Sequence, residues 1–177
     1  MQINLCKSMK ISGEEMKLSI DTLSKYTAYF TALILVLLVT LIIYDATARY
    51  LFSSGSTALQ ELEWHFYDVI ILLSIAFTLK HNAHVRVDIF YDKFSPKIQA
   101  FINIFSVLFF ILPLSALIIY IGIGFVELSF LQSEASSDPG GLTHRWIVKS
   151  LMPLAFFFLA LEALSFLIKE IKKWRVL

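Results

Sequence analysis

Four long apolar stretches separated by shorter polar segments dominate the pattern of hydrophobic and polar positions along this chain. They lie at about residues 26–44, 64–79, 98–130 and 146–168. A helix needs about 20 mostly apolar residues to cross a bilayer, so each stretch predicts one membrane-spanning helix. The predicted fold class is therefore all-α integral membrane, with four transmembrane helices numbered here as spans 1 to 4.

Two of the predicted spans have unusual lengths. The apolar stretch of span 2 is short, but Thr57 and Gln60 form a capping-box pattern, which predicts that its helix begins earlier, within the sequence STALQELEW. Span 3, at residues 98–130, would be roughly 50 Å long, against a hydrocarbon core of about 30 Å. We therefore expect span 3 to tilt, to kink at Pro113 or to project beyond the bilayer.

Lysine and arginine lie mostly on one side of these spans. Of the 15 basic residues, all but Arg49, Arg145 and Lys149 lie before span 1, between spans 2 and 3, or after span 4. The positive-inside rule then predicts that both termini and the loop between spans 2 and 3 are cytoplasmic. Trp64 and Trp146 fall at the opposite, outer interface, where tryptophan side chains commonly act as interface anchors.

The chain divides into three predicted segments. Residues 1–25 are a cytoplasmic N-terminal segment, residues 26–170 the four-helix membrane domain, and residues 171–177 a basic cytoplasmic tail. Within the first segment, residues 1–15 are interpreted as an over-extended start, with a disordered tail as the alternative. The first apolar stretch is longer than a signal-peptide core of about 7 to 15 residues, which predicts that it stays as an anchor.

Composition agrees with a membrane protein and excludes several other classes. Hydrophobic residues make up 58% of the chain and charged residues 16%, against about 25% charged in soluble domains. The net charge of +1 gives no basis for a nucleic-acid partner. Cys6 is the single cysteine, which excludes an internal disulfide and any CxxC motif.

The polar segment between spans 2 and 3 reads TLKHNAHVRVDIFYDKF. Its apolar residues recur on one helical face, which predicts a short amphipathic helix on the inner membrane surface. His81, His84 and Asp88 could present three metal ligands, but a solvated turn is far commoner for so short a pattern, so no metal is predicted. His84 and Asp88 are instead predicted to tie the surface helix to the inner end of span 2.

A structural polar cluster is predicted at the outer face. Glu61, His65 and Asp68 share one face of span 2, and Arg145 and Lys149 lie at a similar depth at the start of span 4. An ionisable side chain within a span costs about 3 kcal/mol or more unless it finds a partner or water. We therefore expect Asp68 to pair with Lys149, and Glu61 or His65 to approach Arg145. The functional alternative is that the cluster lines an ion path.

Three further polar or small-residue features carry predictions. Asp45 and Arg49 are four residues apart at the end of span 1, the favourable order for a local ion pair. Glu162 lies deep in span 4 and is interpreted either as reaching towards the cytoplasmic side or as contacting another subunit. Gly122 and Gly124 permit a close helix contact, within the chain or with a partner.

Two other functional classes can be tested on the residues. A four-helix b-type cytochrome, or another membrane electron-transfer anchor, would need two histidines facing a haem, and His65 and His144 fall on the same membrane side. This class is the alternative. An enzyme would need a nucleophile with its base or a metal set, and the sequence has neither, so no catalysis and no cofactor are predicted.

Four short sequences carry a family resemblance: ARYLF closing span 1, LQELEW opening span 2, SIAFTLKHNAHVRVD across the inner loop, and GGLTHRWIVKSLMPL entering span 4. From about residue 16 to 173, the chain resembles the DctQ-like small membrane subunit of tripartite ATP-independent periplasmic (TRAP) transporters. One departure is Thr143, where relatives often have proline after Gly-Gly-Leu.

The resemblance implies a role as well as a fold. Such a subunit is a scaffold in the bacterial cytoplasmic membrane, bound to a separate large subunit that works as a sodium-coupled elevator. A periplasmic solute-binding protein delivers the substrate, often an organic acid. The implied partners of this chain are therefore these two proteins and the lipid bilayer, and the implied substrate site lies on other subunits.

Overall fold

The computed structural model describes residues 2–80, 91 and 93–176, and every regular element in these residues is a helix. Within these described residues the α-helices with defined bounds are α1 (Gln2–Phe52), α2 (Thr57–Lys80), α3 (Pro96–Ser106), α4 (Leu112–Leu131) and α5 (Trp146–Val176), with a π-helical turn (Val107–Ile111) joining α3 to α4. The all-α prediction is confirmed for this part of the chain.

In the part of the chain that the structure describes, four helical segments are long and apolar enough to cross a membrane. They are Lys25–Phe52, Thr57–Leu79, Pro96–Leu131 and Trp146–Val176, which confirms the four predicted spans. The second begins at Thr57, as the capping pattern predicts, and helix α1 extends the first span back to Gln2. The surface helix predicted between spans 2 and 3, with His84 and Asp88, lies outside the described residues.

The third span contains a π-helical turn directly before its proline. The N–H group of Leu112 donates to the carbonyl of Val107, five residues earlier. Pro113 follows at the start of α4; a proline ring within a helix clashes with the carbonyl four residues earlier, and the wider π-helical turn relieves such crowding. The irregularity predicted at Pro113 is therefore a local widening of the helix.

Helix α5 forms the axis of the bundle. It packs against α4, α2 and α3, whereas α1 packs mainly against α2. In the most apolar 18-residue stretch of α5, 33% of the residues are buried, against 6 to 12% in the corresponding stretches of the other three spans. The core cluster around it consists of Leu79, Val107, Leu159, Ala163 and Phe166. Most apolar side chains on the other spans are exposed in the isolated chain and so face lipid or another protein.

The two glycines of α4 have different surroundings. A methyl group on Gly122 would lie 3.3 Å from two ring atoms of Pro153 on α5, whereas a methyl group on Gly124 would meet nothing within 4 Å. Gly122 therefore permits close packing of α4 on α5 within this chain, and Gly124 lies on the exposed side of the helix. Of the two uses predicted for these glycines, internal packing applies to Gly122.

This difference predicts opposite outcomes for matched substitutions. Gly122→Leu forces a bulky side chain into the contact with Pro153 and should destabilise the bundle by about 1–3 kcal/mol. Gly124→Leu places the same side chain in open space and should leave stability close to that of the parent protein. Thermal unfolding of both variants in detergent measures the difference, and equal midpoints would contradict the packing role of Gly122.

Candidate functional site

Helix α4 ends in a Schellman motif in which a serine takes the position that glycine usually occupies. Ser133 has a left-handed backbone conformation, with a φ of 47°. The N–H groups of Glu134 and Ser133 donate to the carbonyls of Ser129 and Phe130, each at 3.0 Å. This motif fixes the direction in which the chain leaves the helix, and it sets the position of Glu134.

The loop that follows, residues 132–145, is folded by its own backbone hydrogen bonds. The N–H of Ser136 donates to the carbonyl of Leu142 at 2.9 Å, and the N–H of Arg145 donates to the carbonyl of Glu134 at 3.1 Å. Gly140 and His144 have positive φ angles of 80° and 63°, which allow the tight returns of the chain. The loop is therefore an ordered cap over the C-terminal end of α4 and the N-terminal end of α5.

Glu61 of α2 holds this loop against the bundle. Its carboxylate accepts a hydrogen bond from the hydroxyl of Ser136 and another, at 2.6 Å, from the N–H of Leu142. Gly141 lies directly beside this contact: a methyl group there would be 2.5 Å from Cβ of Ser136 and 2.9 Å from Oε1 of Glu61. Glycine at this position therefore allows the carboxylate to reach the loop backbone.

Lys149 pairs with a partner that the sequence did not predict. Its ammonium group forms an ion pair with Glu134, and it also lies 4.2 Å from the ring centroid of Phe125. Because the Schellman motif turns Glu134 towards the first turn of α5, this carboxylate reaches Lys149 in place of Asp68. Asp68 has no side-chain hydrogen bond or ion pair among the described residues, so the predicted pair with Lys149 is replaced by Glu134 in the structure.

The five side chains predicted as a polar cluster line one cavity, of about 480 Å³. Glu61, His65 and Asp68 approach it from α2, and Arg145 and Lys149 approach it from the start of α5. Arg145 and His65 both lie within electrostatic range of Glu61. In the described structure the carboxylate of Glu61 is nevertheless hydrogen-bonded to the loop and makes no ion pair with Arg145.

The remaining predicted site residues have clear positions. Arg49 donates to the carboxylate of Asp45 at the spacing that predicted the pair, and Asp45 is only 1% exposed. Glu162 is 4% exposed, so most of its surface is covered within its own chain. Trp64 and Trp146 lie near the N-terminal ends of α2 and α5, where they pack edge-on against Tyr67 and Phe130 respectively.

The two histidines of the cytochrome alternative lie in different surroundings. His65 lines the cavity, whereas His144 is exposed in the loop with Nδ1 2.8 Å from the hydroxyl of Thr143. A bis-histidine haem site needs both side chains in one buried pocket, and the exposed position of His144 does not provide it. Within the described residues no group of three or more His, Cys, Asp or Glu side chains could hold a metal.

Sequence reasoning missed Glu134, Ser136 and Gly141, which complete the contacts of Glu61 and Lys149. All three belong to the sequence SEASSDPGGL, whose serine, aspartate and glycine residues indicate a tightly turned segment. That composition predicts a loop, but it does not predict which helix the loop will contact.

A comparison with protein families gives one match. Residues 19–173 match the family described as tripartite ATP-independent periplasmic transporters, DctQ component. This range includes α2 to α4, the apolar part of α1, the loop 132–145 and almost all of α5. A comparison with curated proteins found no match.

Proposed function

Because the chain belongs to the DctQ family, the small membrane component of tripartite ATP-independent periplasmic transporters, we propose that it is a non-catalytic scaffold for a separate large membrane subunit. The large subunit would carry the substrate and sodium sites and move as an elevator during uptake of an organic acid. A periplasmic solute-binding protein would deliver the substrate. The observation that carries this proposal is the family match over all four spans.

The arrangement of polar and apolar side chains supports a scaffold. Glu61 and Lys149, two of the ionisable residues at the outer rim, bind the loop and fix its position on the bundle. The apolar faces of the first three spans are largely exposed, which leaves a wide surface for a second membrane protein. A chain with a rigid outer rim and open apolar faces suits a static support beside a moving subunit.

The proposed orientation places both termini in the cytoplasm and the loop 132–145 in the periplasm. Ser137 is exposed in that loop, and Cys6 is the single native cysteine. In a Cys6→Ser background, Ser137→Cys should react with a membrane-impermeant thiol reagent in cells whose outer membrane has been permeabilised. Protection of this cysteine until the inner membrane is also opened would contradict the orientation.

The scaffold function is tested by purification from native membranes. We expect the tagged chain, extracted in a mild detergent, to bring with it a large polytopic membrane protein in near-stoichiometric amount, identified by mass spectrometry. An unrelated tagged four-span protein, purified in the same way, controls for non-specific co-extraction. Recovery of the chain without a large membrane partner, in a detergent that preserves other membrane complexes from those cells, would refute the proposal.

A further inference from the structure

The outer cavity contains two opposite charges that do not meet. Asp68 of α2 and Arg145 at the start of α5 both line it and are half-buried. Among the described residues, neither side chain has a hydrogen bond or an ion pair. Of the other charged side chains there, Glu61 binds the loop and Lys149 pairs with Glu134, whereas Asp138 of the loop adds a second carboxylate to the lining. The cavity therefore presents the carboxylates of Asp68 and Asp138, and a guanidinium of Arg145 that makes no direct ion pair with the described residues but lies within electrostatic range of Glu61 and Glu134.

Unpaired charges at this depth favour a ligand with complementary groups. A charged side chain at the edge of a bilayer is stabilised by a partner or by water, and a guanidinium in particular forms paired hydrogen bonds with phosphate. A carboxylate is the matching partner for an ammonium group. A ligand that carries both a phosphate and an ammonium would satisfy Arg145 and Asp68 together, whereas an anionic ligand would be repelled by Asp68.

The remaining walls of the cavity are suited to an amphiphile. Leu72, Phe125 and Met152 form its apolar side, and the exposed indole of Trp64 lies at its rim, as is common at a membrane interface. The volume of about 480 Å³ lies within the range of about 300–1,000 Å³ usual for small-molecule sites. One wall can therefore receive acyl chains while the polar side receives a headgroup.

The geometry points to a binding site for the headgroup of a zwitterionic phospholipid of the phosphatidylethanolamine class. Its phosphate would bind Arg145, its ammonium would bind Asp68, and its acyl chains would leave over Leu72, Phe125 and Met152. This lipid binds within the chain itself, between α2, α4 and α5. The inference therefore does not depend on the identity of the large subunit or of the transported substrate.

Native mass spectrometry of the full-length chain in detergent tests the site. Phosphatidylethanolamine and phosphatidylglycerol with the same acyl chains are added in turn, and we expect wild-type protein to retain the first about tenfold better. Arg145→Gln should lower binding of phosphatidylethanolamine about tenfold. Asp68→Asn should reduce the preference between the two lipids several-fold, because it removes the proposed ammonium partner and one of the two carboxylates, Asp68 and Asp138, that repel an anionic headgroup.

Lys97→Gln is the matched control. It removes one cation at the opposite end of the bundle, where Lys97 lies 5.8 Å from the ring centroid of Trp174, and it should not change binding. Equal retention of both lipids by wild-type protein, or equal losses in Arg145→Gln and Lys97→Gln, would identify ordinary surface lipid and overturn the proposal. Circular dichroism verifies that each variant is helical; if Arg145→Gln does not fold, the headgroup preference of Asp68→Asn decides.

A protein segment in place of the lipid is a distinguishable outcome. If the chain purified together with a large membrane subunit retains no phosphatidylethanolamine, the cavity is filled by that subunit and the lipid proposal fails while the scaffold proposal stands. Retention by the chain without any partner, lost in both Arg145→Gln and Asp68→Asn, would support the lipid site even if no large subunit were recovered.

Discussion

Replacing Gly141 with alanine is expected to displace the loop 132–145 from the bundle. Among the five glycines whose surroundings the structure describes, it is the one whose added methyl group would meet other atoms within 3 Å: 2.5 Å from Cβ of Ser136, 2.6 Å from the Ser136 hydroxyl oxygen and 2.9 Å from Oε1 of Glu61. The loop must move to relieve this overlap, which should cost about 1–3 kcal/mol of stability. The Leu142 N–H donates a hydrogen bond to Glu61, and its hydrogen exchange should become at least about tenfold faster.

The control for this substitution lies in the loop between α1 and α2. Gly55 has no atom within 4 Å of an added methyl group and no positive φ, so Gly55→Ala should change stability by about 0.5 kcal/mol or less. Glu61→Ala provides a second comparison, because it removes the acceptor without adding a steric clash. It should expose the Leu142 amide in the same way. Unchanged exchange at Leu142 in Gly141→Ala would show that the loop does not depend on this contact.

The second large effect is expected for Lys149→Met, which keeps the length of the side chain and removes its charge. Loss of the ion pair with Glu134 should lower the unfolding midpoint by about 3 °C. In a double-mutant cycle, Lys149→Met and Glu134→Gln should be non-additive, since each breaks the same contact. Lys149→Met and Asp68→Asn should instead be additive. Additivity with Glu134→Gln together with non-additivity with Asp68→Asn would instead support the pair of Lys149 with Asp68 that the sequence predicted.

Acid provides an independent signature of the same ion pair. The ammonium of Lys149 donates to Glu134 and holds the pKa of that carboxyl below its ordinary value of 4.5. A lowered folded-state pKa stabilises the protein above the unfolded value, and this contribution is lost as the pH falls through the folded value. The difference in midpoint between wild type and Lys149→Met should therefore shrink below about pH 4.5. A difference that stays constant from pH 7 down to acid would exclude the ion pair as its source.

The membrane spans could be predicted from the sequence because their signal is local. The length of each span is predicted from its own apolar stretch, and the start of the second span is predicted from the capping pattern at Thr57. The partner of Lys149 could not be predicted in this way. The sequence predicts Asp68 as the partner because it and Lys149 lie at similar depth on two helices. The actual partner is Glu134, which is positioned by the Schellman motif with Ser133. The contact between Lys149 and Glu134 depends on the geometry of the loop, which the periodicity of hydrophobic residues does not predict.

Proline gave a comparable partial prediction in the third span. Pro113 indicates that the helix before it must adjust, because in a regular α-helix the proline ring clashes with the carbonyl four residues earlier. It does not distinguish among a bend, a break and a widened turn, and the structure contains a π-helical turn at Val107–Ile111. The candidate site could likewise be predicted only in part. Helical spacing grouped the five ionisable residues, but it did not predict that the loop would bind two of them.

The π-helical turn also changes the register of the third span. The buried positions of α3 include Ala100 and the turn begins at buried Val107, whereas those of α4 are Ser115, Gly122 and Ser129. The buried stripe thus repeats every seven residues on either side of the turn and skips to eight across it. The turn acts as a one-residue insertion that keeps both halves of the span facing α5. Deleting one residue within it would rotate α4 by about 100° and turn the stripe away from its partner helix.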